Sequence, residues 1–508
     1  MSETPVLRLS NITKTFGTTV ANDAVSIDLA HGEVLALLGE NGAGKTTLMS
    51  ILFGHYTPDS GSVEVEGQEL PPGRPRAAIN AGVGMVHQHF SLAPNLTVLE
   101  NVMTGTQSLF KLRSDTGAAR AKLAELAERF GLAVDPDARL GDLSVGEQQR
   151  VEILKALYND AKILILDEPT AVLTNLEAER LFSTLREMAR QGLSLIFISH
   201  KLHEVMAAAD RVVVLRGGTV VAERKAAETT KEELAELMVG RRIARPKREA
   251  GAPGAVVLEA IGASLAVDGV ARLSDLNFKL RAGETLGIIG VSGNGQAQLA
   301  QMVSGLATPT AGELRLFDEP IKEGVAALVE AGVGRIPEDR NAEGAIGEMT
   351  LWENAILERM HSPRFSKNGL VNRAAARAFA TTIIEEFDVR GGAPDRRIRL
   401  LSGGNMQKLI LGRNLHDQPK LLIAAQPTRG LDEGAIAAVH TRILEARNAG
   451  AAVLLISEDL EEVINLADRI QAIVKGRLSP PLAAEEADAR RLGLMMAGDW
   501  SKEVVHAS

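Results

Sequence analysis

Most of the distinctive segments in the first half of this chain return in the second half. HGEVLALLGENGAGKTTL, starting at His31, returns as AGETLGIIGVSGNGQAQL from Ala282. AGVGMVHQ (81–88) returns as AGVGRIPE (331–338), and LSVGEQQR (143–150) as LSGGNMQK (401–408). AKILILDEPT (161–170) returns as PKLLIAAQPT (419–428), and LIFISHKLHEV (195–205) as LLISEDLEEV (454–463). The spacing lengthens between Glu338 and Leu401, so the second copy carries a small insertion there. A repeat this long is a duplicated domain, because stacked solenoid units recur every 20–50 residues or so. The halves meet at RRIARPKREAGAPGA (241–255), where Arg, Lys, Pro and Gly cluster as in a linker. The expected organisation is a first domain over 1–243, a linker over 244–255 and a second domain over 256–508.

Within each half, short apolar runs such as EVLALLG, KILILD and LSLIFIS are bounded by turn residues. Such runs suit strands buried on both faces of a parallel sheet. Helical stretches follow them, including GKTTLMSILFG and GEQQRVEILKALYND. The alternation predicts an α/β fold with ligands at the carboxyl ends of the strands. The Ala- and Leu-rich stretch between Asn101 and Leu140 predicts a helical insertion.

Composition excludes several classes. A net charge of -9 argues against a general nucleic-acid binder. With no cysteine there are no disulfides and no thiolate metal sites. The N-terminus shows no secretory h-region, and no apolar run is long enough to span a bilayer as a helix. A membrane role would therefore run through a partner.

The chemistry is concentrated in a few segments. Gly39, Glu40, Asn41, Gly42, Ala43, Gly44, Lys45 and Thr46 spell a phosphate-binding loop between a strand and a helix, with Thr47 following. Its backbone N–H groups can curl around phosphate oxygens, and the helix start adds a favourable dipole. Lys45 is expected to reach the β- and γ-phosphates and Thr46 to ligate Mg²⁺. Asp167 and Glu168 end a buried strand. The first suits hydrated Mg²⁺, and the second suits orienting or deprotonating an attacking water.

LSVGEQQR and LSGGNMQK resemble the signature motif of ATP-binding cassette (ABC) proteins, and the resemblance runs through both halves. It implies two P-loop NTPase domains, each a mainly parallel sheet core with an antiparallel β part and a helical subdomain. It implies an ATPase using ATP and Mg²⁺. Gln88 would sense Mg²⁺ and the membrane subunit, and His200 would contact the γ-phosphate. Phe16 falls where the family stacks an aromatic on adenine. The family pairs the P-loop of one domain with the signature of the other. Ser402, Gly403, Gly404 and Asp432 would therefore complete the first site through intrachain pairing.

The second half lacks much of this chemistry. Gln296 and Ala297 stand where the first half has Lys45 and Thr46. Ala425 and Gln426 replace the strand-end acids, and Glu338 and Glu458 replace Gln88 and His200. Two of these changes add negative charge near the expected phosphates. A like-charge contact at 4 Å costs about 4 kcal/mol at an effective dielectric of 20. Hydrolysis is not expected there, although the surviving glycines leave a nest able to take phosphate weakly.

Tandem cassettes with a degenerate second half resemble the ATPases of bacterial importers for nucleosides or simple sugars. GMVHQHFSLAPNLTVLENV and GRIPEDR lean to the nucleoside branch. The implied partners are integral membrane permease subunits and, indirectly, a periplasmic or lipid-anchored solute-binding protein. The implied location is peripheral, on the cytoplasmic face of the inner membrane. The rival reading is a soluble tandem ABC ATPase acting on translation. That class has a long charged linker and both catalytic glutamates, unlike this chain.

Overall fold

The computed structural model describes residues 4–500 apart from 88–90, 107–114, 171, 172, 174, 200, 241–245, 247, 250, 252, 322 and 323. Two of the site residues expected from sequence, Gln88 and His200, lie outside the described residues. The chain divides into two compact units, Met1–Ile243 with Asp432–Gly434, and Ala244–Leu431 with Ala435–Ser508.

The first unit contains ten strands among its described residues: β1 (Leu7–Phe16), β2 (Thr19–Leu29), β3 (Val34–Leu38), β4 (Ser60–Val65), β5 (Gln68–Glu69), β6 (Val83–Val86), β7 (Ile163–Asp167), β8 (Ser194–Ile198), β9 (Arg211–Arg216) and β10 (Thr219–Lys225). They form a four-stranded antiparallel sheet, β2-β1-β4-β5, and a six-stranded sheet, β10-β9-β3-β8-β7-β6. In the larger sheet all neighbours are parallel except the edge strand β10.

Strands β3, β7 and β8 are buried along their whole length, as their apolar runs predict. Successive side chains on a strand point to opposite faces. Leu164, Leu166, Leu195 and Phe197 enter one core, which also takes in Val98, Val102, Leu123 and Leu154 from the helical part. Ile163, Ile165, Ile196 and Ile198 enter the other, shared with Leu7, Leu9, Val25 and Val63 of the antiparallel sheet. The helix Lys45–Leu52 contributes Leu48, Met49, Ile51 and Leu52 to this second core. The phosphate-loop helix is thus fixed between the two sheets. Among the described residues, the predicted helical insertion contains the helices Val98–Met103 and Thr116–Arg129.

The second unit repeats the plan. Its antiparallel sheet runs β12-β11-β14-β15, with β11 Val256–Val267, β12 Val270–Arg281, β14 Ala311–Leu316 and β15 Glu319–Pro320. Its main sheet begins β16-β19-β20-β13-β21, with β13 Thr285–Ile289, β16 Val333–Ile336, β19 Leu421–Ala425, β20 Ala452–Ser457 and β21 Arg469–Val474. These five are parallel throughout. The extra residues of this copy include a small hairpin of β17 (Ser366–Lys367) with β18 (Leu370–Val371).

Candidate nucleotide-binding and hydrolysis site

The first glycine-rich loop leaves β3 and enters the helix Lys45–Leu52 through Gly44, which has a φ of 99°. A Cβ at Gly44 would lie 2.1 Å from the Ala21 carbonyl oxygen, so strand β2 requires glycine there. The helix has no side-chain cap at its start, which leaves its dipole facing the loop. Asn22, fully buried on β2, donates to the Gly44 carbonyl at 3.2 Å and secures the loop from beneath.

Lys45 folds back over this loop. Its Nζ donates to the carbonyls of Gly39 and Glu40 at 2.8 and 2.9 Å. Burial lowers its pKa, while Glu168 and Asp167 act in the opposite direction. The strand end of β7 supplies both acids. Asp167 is only 7% exposed, and burial raises its pKa, followed by repulsion from Glu168. Lys45 and a hydrogen bond with the Thr46 side chain pull it back. Glu168 sits in the left-handed region at a φ of 47°, and its N–H donates to Ile198 on β8 at 3.0 Å. The structure thus brings Lys45, Thr46, Asp167 and Glu168 into one electrostatic cluster. Asp432 groups with this same unit and accepts from the Asn41 N–H at 3.3 Å. Phe16 ends β1 as an exposed aromatic, edge-on to Tyr56 with centroids 5.5 Å apart.

Several residues that sequence reasoning did not single out support this cluster. Glu204, buried, accepts from the Thr170 hydroxyl at 2.5 Å and the Ser199 hydroxyl at 2.7 Å. This ties the turn after Glu168 to the residue before His200. Gln149 donates to the Pro169 carbonyl at 2.5 Å, joining the helix Val145–Tyr158 to the same turn. The second unit repeats both ties, with Glu462 taking Thr428 and Ser457, and Gln407 donating to Pro427. Their identity in both copies of the repeat was the available signal.

Residues 22–171 and 273–429 each match the family described as ABC transporter. The chain belongs to the ABC transporter family. It is 43% identical to the nucleoside import ATP-binding protein NupA of Lactococcus lactis, covering 98% of this chain and 99% of that one. It is 42% identical to the guanosine import ATP-binding protein NupO of Bacillus subtilis, covering 99% of each. It is 43% identical to the glucose import ATP-binding protein TsgD13 of Haloferax volcanii, covering 98% of this chain and 96% of that one. A solved structure of an archaeal ribosome recycling factor, aABCE1 in complex with stalk protein aP1, shares the fold. Its TM-score is 0.64 at 19% identity, covering 96% of this chain and 92% of that one. As an ABC ATPase the chain binds and hydrolyses ATP.

In the second cassette the signature serine, Ser402, caps the helix Gly403–Leu415 by accepting from Asn405 N–H at 3.4 Å and its side-chain amide at 2.9 Å. Its own hydroxyl proton stays available to donate. A Cβ at Gly403 would meet the Arg340 guanidinium at 2.8 Å, whereas Gly404 lies against Ala435.

The second glycine-rich loop is closed by its own side chains. Gln296 Nε2 donates to the Val291 carbonyl at 2.8 Å, taking over one of the lysine contacts, and Gln296 Oε1 accepts from the Asn294 N–H at 3.0 Å. Glu458, in the His200 position, accepts a hydrogen bond from the Ser292 side chain in the loop, and burial raises its pKa. Both glutamates expected to add negative charge beside the phosphates are described, and they still repel one another. Glu338 forms an ion pair with Arg429, which also attracts Glu458. One arginine therefore offsets part of the charge that the two replacements introduce.

Among the described residues, no helix is long and apolar enough to cross a membrane.

Proposed function

We propose that this chain energises an importer of nucleosides or simple sugars through a single hydrolytic site. That site joins the first P-loop, Asp167 and Glu168 to Ser402, Gly403, Gly404 and Asp432 of the second cassette's signature and D-loop. The observation that carries this reading is the contrast between the loops. Lys45, Thr46, Asp167 and Glu168 cluster at the first, whereas Gln296 and Glu458 satisfy the second from within.

In this mechanism the loop amides, the helix start and Lys45 hold the phosphates. Glu168 accepts the proton of the attacking water, and His200 orients the γ-phosphate. The adjoining Thr46 hydroxyl and Asp167 carboxylate form an all-oxygen donor pair of the kind that suits Mg²⁺. When bound, Mg²⁺ would neutralise charge developing on the phosphates. Both donors are oxygens, so these two residues fit the ion. Closure on ATP and reopening after hydrolysis would drive the permease subunits. The chain would sit on the cytoplasmic face of the membrane, with a solute-binding protein delivering solute to the permease.

The names of NupA and NupO favour nucleosides over sugars. The sequence likeness to importer ATPases covers nearly the whole chain, whereas the likeness to the recycling factor reaches the fold alone. Steady-state turnover tests the single-site reading. Lys45→Ala is expected to abolish it and Gln296→Ala to leave most of it. Equal losses in both would overturn the assignment.

A further inference from the structure

In the first cassette, two side chains on one helix face hold both polar groups of a single backbone position. The Ser91 N–H donates to Glu152 Oε1 at 2.5 Å, and Lys155 Nζ donates to the Ser91 carbonyl at 3.3 Å. Glu152 and Lys155 are three apart on the signature helix Val145–Tyr158, so they share a face. Ser91 lies three residues beyond Gln88.

The arrangement is costly for a purely structural device. Glu152 is only 6% exposed, and its Oε2 is buried without a hydrogen-bond partner among the described residues. A buried carboxyl with an unmade bond is disfavoured relative to an apolar side chain of similar size. The second cassette uses that apolar option. Ile410 takes the position of Glu152 and lies against Gly344, where an added Cβ would come within 2.8 Å of its Cδ1. Arg413 takes the position of Lys155 and reaches the Asn354 carbonyl at 3.3 Å and Glu358 at 2.9 Å. The loop beside Glu338 satisfies its own amides, with Asp339 accepting from Asn341 and Ala342 N–H.

Beyond this point the cassettes agree. Asn101 bonds both polar groups of Ala93, and Asn354 does the same for Ile346. Each asparagine braces the turn that leads into its own helix, Val98–Met103 or Leu351–Ile356. The cassettes therefore differ in where the signature helix is tied. In the first, the tie lands on the chain just past Gln88. In the second, it lands on the helix further along.

We propose that Glu152 and Lys155 are positioning residues that lock the segment after Gln88 to the signature helix of the first cassette. Any displacement of one is then transmitted to the other, and through Asn101 to Val98–Met103. This rests on the reading of the first cassette as the hydrolytic one.

The test is amide hydrogen exchange on the full-length chain, followed in peptides spanning 91–103 with and without Mg-ATP in a Glu168→Gln background. Glu152→Ala should speed exchange at Ser91 about tenfold, as loss of one hydrogen bond implies. It should also abolish the ATP-induced change across 93–103. Glu152→Gln keeps an acceptor oxygen for the Ser91 N–H and should restore both. In the Glu168 parent, Glu152→Ala should lower kcat while the KM for ATP holds. If Glu152→Ala fails to fold, Lys155→Met provides the same comparison from the carbonyl side. Unchanged exchange at Ser91, or an ATP response that survives in the alanine variant, overturns the proposal. Turnover persisting in Glu168→Gln would instead fault the hydrolytic assignment, and the nucleotide-free exchange comparison would still decide the clasp.

Discussion

The side chain of Ser292, in the second glycine-rich loop, is hydrogen-bonded to the carboxylate of Glu458, which stands where the first half has His200. A carboxylate thus rests where a phosphate oxygen would approach, while Gln296 takes up a loop amide. Equilibrium dialysis of the full chain with ATP should therefore show a single binding event. Combining Gln296→Lys with Glu458→His should produce a second one. Two events of equal affinity in the unaltered chain would contradict the self-closed loop.

Glu168 projects from a left-handed turn at the end of β7 and has no counterpart acid at Gln426. Removing a general base typically costs on the order of 10²–10⁴-fold in rate. Glu168→Gln should lower kcat by that much and leave ATP affinity nearly intact, as single-turnover kinetics and binding assays would show.

Asp167 is set for ligand binding at the expense of the folded state. Burial holds its pKa above the usual 3.8, so the folded chain binds this proton more tightly than the unfolded chain does. The ionised form then costs stability at every pH above the folded pKa, and the cost fades as pH falls through that value toward 3.8. Asp167→Asn should therefore raise the denaturation midpoint of the first unit at pH 7 in the absence of nucleotide and metal. The gain should shrink in acid, and Mg²⁺-dependent turnover should be lost. A lower midpoint at pH 7 would refute this.

Glu204 accepts from two buried hydroxyls, Thr170 and Ser199. Glu204→Ala leaves both without their acceptor, at a cost of about 1–3 kcal/mol for each group stranded. A urea melt should show the loss, and kcat should fall because Ser199 directly precedes His200. Glu204→Gln should recover part of each.

The strands and loops were readable because burial on both sheet faces imposes apolar runs, and because phosphate loops demand glycine where strand β2 passes. The Lys45–Asp167 cluster was readable from residue type and order. The supporting ties were not. Glu204, Thr170 and Gln149 act through hydrogen bonds between segments far apart in sequence, and only their identity with Glu462, Thr428 and Gln407 in the second copy marks them. Glu458 was legible as a lost histidine, but its bond to Ser292 and the offset by Arg429 depend on side-chain placement. Nothing in the run GEQQRVEILKALYND separates Glu152 from its polar neighbours; its burial and its contact with Ser91 come from the fold.

Glu168 and Gln426 share one backbone conformation, each with a φ of 47° and an N–H donated to the neighbouring strand at Ile198 or Ile456. Left-handed backbone at a non-glycine residue is strained by about 1–3 kcal/mol. The second half carries that strain without a carboxylate to present. At this turn the divergence is therefore shallow: the side chain has changed while the backbone beneath it has not. At this strand end the duplicate keeps the mould of a working site after the acids it once presented have gone.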